Sequence, residues 1–199
     1  KRHVEAEEGT MRIRYNAPVT LTFTLAAVAV LIIDSIAAGT LTTGLFSVPG
    51  RGGFSFGNVL GWPRLFLHPL GHAGWDHLIG NFAFILLLGP NLEERHGSPS
   101  LLFMIFVTAL VTGILNVLFL STGLLGASGI VFMMIVLSSF TNFRRGELPI
   151  TFILIVLLYV AREVVNALQE NTISEFAHIL GGILGSLFGL FRTPKQSAE

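Results

Sequence analysis

The sequence predicts an all-α membrane protein built as a bundle of six transmembrane helices. Of its 199 residues, 52% are hydrophobic and only 12% are charged, whereas a soluble domain usually carries about 25% charged residues. So much apolar surface with so few charges requires lipid around it. The apolar residues fall in six runs, and most of these are long enough to cross roughly 30 Å of hydrocarbon as helices.

Each of the six predicted helices is bounded by charge, proline or glycine. The first is longer than the apolar region of a typical signal peptide, so we expect it to stay as an uncleaved membrane helix; the fourth is short. We divide the chain into a polar cytoplasmic segment (1–17), a membrane domain (18–192) and a cytoplasmic tail (193–199). The runs cover approximately residues 18–38, 76–92, 99–121, 127–141, 149–168 and 175–191.

The placement of Lys and Arg predicts the orientation of the helices. With the N-terminus inside, nine basic residues fall on the cytoplasmic side and three on the outer side, and such an excess is typical of cytoplasmic loops. We therefore expect a multi-pass protein of the cell inner membrane with both termini in the cytoplasm. The inner set is Lys1, Arg2, Arg12, Arg14, Arg95, Arg144, Arg145, Arg192 and Lys195, and the outer set is Arg51, Arg64 and Arg162.

The first outer loop, residues 39–75, is long, rich in glycine and unusually apolar. A fully solvated loop would be more polar. We expect part of it to lie in the outer membrane interface, where Trp62 and Arg64 can anchor it. Simple packing of the loop on the helix bundle is compatible with this placement.

Charge balance and the lack of cysteine exclude several classes of function. The 12 basic and 12 acidic residues cancel, so no strong field indicates a nucleic-acid partner. The chain has no cysteine, which excludes disulfides, thiol catalysis and thiolate metal sites. His68, His72 and His77 have spacings compatible with a metal site, but no His-Glu-x-x-His accompanies them, and we expect neither metal nor cofactor.

A glycine-flanked serine, in Gly126-Ala127-Ser128-Gly129, stands just before the fourth predicted helix. Gly126 and Gly129 permit a tight turn and close approach of other backbone. Ser128 would then lie near a helix N-terminus, where free N–H groups and the helix dipole favour a developing oxyanion. On this motif alone we favour the structural interpretation, in which Ser128 caps the helix.

The last predicted helix carries His178 on the same face as Gly181 and Gly185, and Gly182 and Gly189 extend this face. Small residues at this spacing let another helix approach closely. A histidine on such a face points at a neighbouring helix, and ionisable residues within a membrane are functional candidates. A hydrogen bond within the bundle explains His178 equally well.

His77 and Asn81 are four residues apart at the start of the second predicted helix, so they share a face. Both side chains can donate a hydrogen bond to an oxyanion. Bonding between helices is the competing interpretation, and for Asn81 alone it is favoured.

A common depth connects these three motifs. Ser128 precedes the cytoplasmic Arg144 by 16 residues, which corresponds to about 24 Å of helix. His178 and Asn81 each precede a basic residue on the same side by 14 residues, or about 21 Å. Three helices thus place a nucleophile, a base and an oxyanion donor in one layer just below the outer surface, which favours catalysis over three separate structural roles.

These residues also resemble the rhomboid family of intramembrane serine proteases, over roughly residues 18–192. The motifs stand in the family's order. The matching elements are the Gly-x-Ser-Gly at Gly126-Ala127-Ser128-Gly129, the final-helix histidine at Ala177-His178 with Gly181 and Gly185, the His-x-x-x-Asn at His77 and Asn81, the Glu-x-Arg-x-Gly-Ser turn at Glu93-Glu94-Arg95-His96-Gly97-Ser98, and the Trp-Arg element at Trp62 and Arg64, here with Pro63 inserted.

The resemblance implies a six-helix bundle of rhomboid type with a catalytic dyad of Ser128 and His178. It also implies an oxyanion hole formed by His77, Asn81 and the Ser128 backbone N–H. Phe132 stands where family members often have a tyrosine that stacks on the histidine. Stacking needs only the ring face, so we expect it to survive without the hydrogen bond of the hydroxyl.

The implied function is cleavage of single-span membrane proteins within the lipid bilayer, near its outer face. Two alternatives remain. A rhomboid-like pseudoenzyme would bind membrane helices without cutting them, but its signature would be loss of the serine or histidine. A small transporter would use the intramembrane His and Asn as a polar path, but the inverted repeats typical of such proteins are not found.

Two further groups have local interpretations. Asp34, near the outer end of the first helix, could supply a third catalytic group, but we prefer a role as a helix cap or a solvent-facing residue. Glu93 and Arg95 are expected to fix the cytoplasmic turn by a local ion pair.

Overall fold

The computed structural model describes residues 14–143 and 173–191, together with positions 150, 153–154, 157–158 and 161. In this part of the chain the regular structure is helical, with a single antiparallel bridge between Val48 and Leu124. The helices are α1 (Pro18–Ile36), α2 (Thr40–Gly44), α3 (Arg64–Leu67), α4 (Trp75–His96), α5 (Ser98–Phe119), α6 (Ser128–Phe143) and α7 (Ile173–Phe191).

Five of the six predicted membrane runs correspond to long helices, namely α1, α4, α5, α6 and α7. The remaining predicted helix, 149–168, lies mostly outside the described residues. Among the described helices, α1 and α5 are by themselves long and apolar enough to cross a membrane. The prediction of an all-helical fold is therefore confirmed, and the number of membrane crossings stays a prediction.

The helices pack around an apolar core but also expose many large apolar side chains and bury several polar ones. Large apolar residues point outward, such as Leu25 (60% exposed), Leu87 (66%) and Leu102 (56%). Polar side chains such as Thr108 and Asn116 are buried between the helices instead. Large apolar side chains exposed on several helices favour contact with lipid, and polar groups inside such a bundle are functional candidates.

The first loop is tied both to itself and to the segment that precedes α6. The Arg64 guanidinium donates hydrogen bonds to the carbonyl oxygens of Ser47, at 2.6 Å, and Thr43, at 2.9 Å. Val48 and Leu124 exchange two backbone hydrogen bonds of 2.8 Å each. These bonds position the loop against the chain that leads into α6.

Glu93 holds α1 and α4 together at the predicted cytoplasmic side. Its buried carboxylate accepts hydrogen bonds from the N–H groups of Val19 and Thr20, at 2.8 and 3.0 Å, and from the Thr20 hydroxyl at 2.9 Å. The predicted local ion pair between Glu93 and Arg95 is therefore wrong. The free N–H groups at the start of α1, together with the helix dipole, attract the carboxylate inward.

Replacing Glu93 with alanine is expected to lower the thermal unfolding midpoint in detergent, because two backbone N–H groups and a hydroxyl lose their acceptor. An unsatisfied buried donor costs about 1–3 kcal/mol. Glu94→Ala is the matched control, since its neighbouring side chain is exposed. Equal midpoints for the two variants would contradict the capping role.

Candidate active site

The turn before α6 presents Ser128 at the first position of that helix. Gly126 has φ +99°, a left-handed conformation that favours glycine. The Ala127 carbonyl accepts the first helical hydrogen bond, from the N–H of Val131 at 3.0 Å. The N–H groups of Ser128 and Gly129 therefore have no acceptor within the helix. Ser128 is partly exposed, whereas the residues on either side of it are buried.

One side of this turn is covered by His77 and Asn81, one turn apart on α4. A methyl group on Gly126 would lie 2.7 Å from Cε1 and Nε2 of His77 and 3.6 Å from Nδ2 of Asn81. The backbone conformation thus favours glycine here, and a methyl group would in addition force the His77 ring to move. The same closeness brings both side chains to the backbone that leads directly into Ser128.

The other side of the turn is covered by α7. A methyl group on Gly129 would lie 3.2 Å from the Ala177 carbonyl oxygen, and one on Gly181 would collide with the carbonyl oxygen of Gly129. One helical turn further, a methyl group on Gly185 would lie 2.5 Å from the Met133 carbonyl oxygen. The glycine face of α7 therefore packs directly on the backbone of α6.

His178 is buried at this junction, and its imidazole stacks on Phe132. The two ring centroids are 4.5 Å apart and the ring planes are inclined by 15°. Phe132 lies one turn after Ser128 on α6, so the stack ties the imidazole to the helix that carries the serine. The ring face alone provides this contact.

The structure thus brings together the segments that the sequence singled out. Residues 126–129 lie between His77 and Asn81 on α4 and Ala177 on α7, and the next residue of α7, His178, stacks on Phe132. This arrangement combines a hydroxyl, an imidazole and several hydrogen-bond donors around one short segment. Such a set is suited to acyl transfer, which needs a nucleophile, a base and donors to an oxyanion.

Of the three histidines that suggested a metal site, His72 and His77 lie together, with ring centroids 4.9 Å apart, while His68 has other partners. His68 Nε2 lies 3.2 Å from the Ala109 carbonyl oxygen, and His72 Nε2 lies 3.1 Å from Asn81 Nδ2. Burial lowers the pKa of His68 to about 4, so this side chain is neutral near pH 7. In the described part of the chain no three His, Asp or Glu side chains are arranged to hold a metal ion.

Asp34 acts as a cap. Its buried carboxylate accepts a hydrogen bond of 2.8 Å from the N–H of Thr42 in the first turn of α2. This contact agrees with the preferred interpretation of Asp34 rather than with a third catalytic group.

His72 is the residue near the site whose position the sequence did not reveal. It is 1% exposed and lies in the loop before α4. Helical periodicity therefore did not connect it with Asn81, nine residues further on. The cluster of histidines was the available signal, and it suggested a metal site instead.

Comparison with known proteins identifies the family. The family model described as Rhomboid domain matches residues 59–195, more than half of the chain. The sequence is 26% identical to the rhomboid protease GlpG of Haemophilus influenzae over 141 residues, which cover 68% of this chain and 73% of that protein. It is 25% identical to the chloroplastic rhomboid-like protein 11 of Arabidopsis thaliana over 148 residues, 66% of this chain and about half (53%) of the plant protein. The chain therefore belongs to the rhomboid family, a family of integral membrane proteins.

Proposed function

We propose that the protein is an intramembrane serine endopeptidase with Ser128 as nucleophile and His178 as general base. The observation that carries this proposal is the packing of the turn at 126–129 between α4 and α7. The turn contacts His77 and Asn81 on one side and Ala177, the neighbour of His178, on the other, and this supports a site with a nucleophile, a base and two oxyanion donors. Membership of the rhomboid family supports a protease.

In the proposed reaction His178 accepts the proton of the Ser128 hydroxyl as its oxygen attacks the substrate carbonyl carbon. The tetrahedral intermediate collapses when the same imidazole donates that proton to the leaving amine. Water then attacks the acyl-enzyme with His178 again acting as base. The Phe132 ring holds the plane of the imidazole through both steps.

The negative charge on the carbonyl oxygen needs donors that are already in place. His77, the Asn81 amide and the backbone N–H of Ser128 form the proposed oxyanion hole. The N–H of Ser128 has no acceptor within α6, so it is available at no cost to the helix. Donors fixed before the reaction stabilise the developing charge without reorganisation.

In the proposed membrane arrangement six helices cross the bilayer, both termini are cytoplasmic and the site lies near the outer face. The buried polar and exposed apolar side chains of the described helices support a bundle in lipid. The first loop would then lie partly in the outer interface. Its exposed apolar side chains support this: Phe56, Val59, Leu60, Trp62 and Phe66.

The proposed substrates are single-span membrane proteins. An intact helix hides its carbonyl groups in i→i−4 hydrogen bonds, so a substrate must unwind locally before Ser128 can attack. Gly or Pro in the substrate lowers that cost by about 1–3 kcal/mol per residue. The close packing of α6 on α7 leaves little room beside Ser128, which favours a small residue before the cut bond.

Cleavage is therefore expected near the outer end of a substrate helix, after a small residue, and faster where Gly or Pro is nearby. Mass spectrometry of the products from a model single-span substrate, with the Gly or Pro moved along its helix, measures this directly. A cut near the cytoplasmic end, or equal rates after the helix breakers are replaced by Leu, would contradict this prediction.

A serine-directed fluorophosphonate tests the proposed function in detergent or liposomes. We expect it to label the wild-type protein at Ser128, and we expect cleavage activity to be lost at the same rate as the label is incorporated. A pseudoenzyme or a transporter would show neither a cleaved substrate nor a reactive serine. Peptide mapping of the label identifies the residue, and label on another serine would overturn the assignment.

A further inference from the structure

We infer that His72 is a positioning residue: its Nε2 accepts a hydrogen bond from Asn81 and thereby directs the second N–H of the Asn81 amide toward the oxyanion. This inference rests on the proposed function, since it assigns a role within the same site. His72 itself would touch no reacting atom. It would act entirely through Asn81.

The surroundings of His72 determine which of its nitrogens carries the proton. Nδ1 lies 3.4 Å from the Leu70 carbonyl oxygen, and a carbonyl oxygen can only accept a hydrogen bond. The proton is therefore on Nδ1, where it is donated to Leu70. Neutral imidazole has one protonated nitrogen, so Nε2 keeps its lone pair and can only accept.

This tautomer also determines the orientation of the Asn81 amide. The Asn81 atom 3.1 Å from Nε2 must be a donor, and within the amide only nitrogen donates. The reverse orientation would turn the amide oxygen toward the lone pair of Nε2, and two acceptors repel each other. His72 thus selects one of two amide orientations that are nearly equal in shape.

Burial keeps His72 in the neutral form that this role requires. The side chain is 1% exposed, and its ring lies 4.9 Å from the ring of His77 and 5.6 Å from that of Phe82. The pKa of His72 is lowered to about 3, mainly by burial and to a smaller extent by the nearby His77. At pH 5–8 the lone pair on Nε2 is therefore always present.

The selected orientation leaves one amide N–H for the reaction. The Asn81 nitrogen bears two hydrogens, and His72 takes one of them. The same nitrogen lies 3.6 Å from the point that a methyl group on Gly126 would occupy, beside the backbone that leads to Ser128. The flipped amide would instead present its oxygen there, and a second negative partial charge would oppose the oxyanion.

A double-mutant cycle in the cleavage assay tests this role. Asn81→Ala is expected to lower kcat by about 10²–10³, the usual effect of losing one oxyanion donor. His72→Leu removes the acceptor and should lower kcat by a similar factor with little change in KM. Because His72 acts through Asn81, the double variant should be no slower than Asn81→Ala alone.

Two polar replacements give a readout that a purely structural role would not produce. In His72→Gln the amide oxygen reaches about as far as Nε2, so this variant should recover most of the wild-type kcat. In His72→Asn the oxygen stops short, at the distance of Nδ1, and kcat should stay low. If His72→Leu fails to fold, the comparison of Gln with Asn carries the test by itself.

Several results would overturn the inference. They are wild-type kcat in His72→Leu, effects that multiply in the double variant, a change confined to KM, or equal kcat for His72→Gln and His72→Asn. Ser128→Ala in the same assay separates this failure from that of the proposed function. If Ser128→Ala is inactive and the effects of His72→Leu and Asn81→Ala on kcat multiply, only the role of His72 is wrong. If Ser128→Ala still cleaves, the proposed dyad is wrong.

Discussion

Replacing Ser128 or His178 with alanine is expected to abolish peptide-bond cleavage by the purified protein. Either change removes an essential partner, because the hydroxyl is a weak nucleophile until a base takes its proton. In a soluble serine protease the loss of either group lowers kcat by about 10⁶, and we expect a comparable fall here. Cleavage of a single-span substrate in liposomes, followed over hours, measures the residual rate.

Ser139→Ala is the matched control for the serine variant. Ser139 lies on the same helix and is buried, and its hydroxyl donates a hydrogen bond to the Ile135 carbonyl oxygen, at 2.8 Å. This variant should cleave at the wild-type rate. Ser128→Ala and His178→Ala should unfold at temperatures close to that of the wild type, and chelators should leave the wild-type rate unchanged. Cleavage by either purified alanine variant would refute the dyad.

Patterns within a single helix were predicted well from the sequence. The apolar runs located α1, α4, α5, α6 and α7 because burial in lipid imposes length and composition directly on each segment. The i, i+4 spacing placed His77 and Asn81 on one face for the same local reason.

Contacts between distant segments could not be predicted in this way. Glu93 was expected to pair with Arg95, two residues away, but its partners are Val19 and Thr20 at the start of α1. Local spacing reveals near neighbours, whereas free N–H groups at a remote helix terminus become relevant only once the helices have packed. The contact of His72 with Asn81 was missed for the same reason, since His72 lies in the loop before α4 and Asn81 within that helix.

The packing of the glycine face of α7 was predicted only in part. Its spacing predicted that another helix would approach closely, but not which one. The structure identifies α6 as that helix, with Gly181 and Gly185 against the carbonyl groups of Gly129 and Met133. The close approach therefore falls beside Ser128, where a small displacement matters most.

Gly181→Ala is expected to lower both stability and activity. The added methyl group would collide with the Gly129 carbonyl oxygen, and backbone cannot move aside as the end of a flexible side chain can. The helices would have to separate, and such overpacking typically costs about 1–3 kcal/mol. Since α6 carries Ser128 and α7 carries His178, the same separation would misalign the proposed dyad, and a displacement of 1 Å can cost about 10² in rate.

Gly182→Ala, the next residue along α7, is the matched control. Among the described residues, the nearest atom to its added methyl group is Cγ2 of Val136, at an ordinary contact distance of 3.8 Å. Alanine is also favoured over glycine in a helix by about 1 kcal/mol, so this variant should be at least as stable as the wild type and fully active. Thermal unfolding in detergent and the liposome cleavage rate, measured for both variants, decide the matter. The two variants carry the same chemical change one residue apart and differ only in the atoms that the added methyl group contacts. If they have the same unfolding temperature and the same cleavage rate, the α6–α7 contact does not align the site.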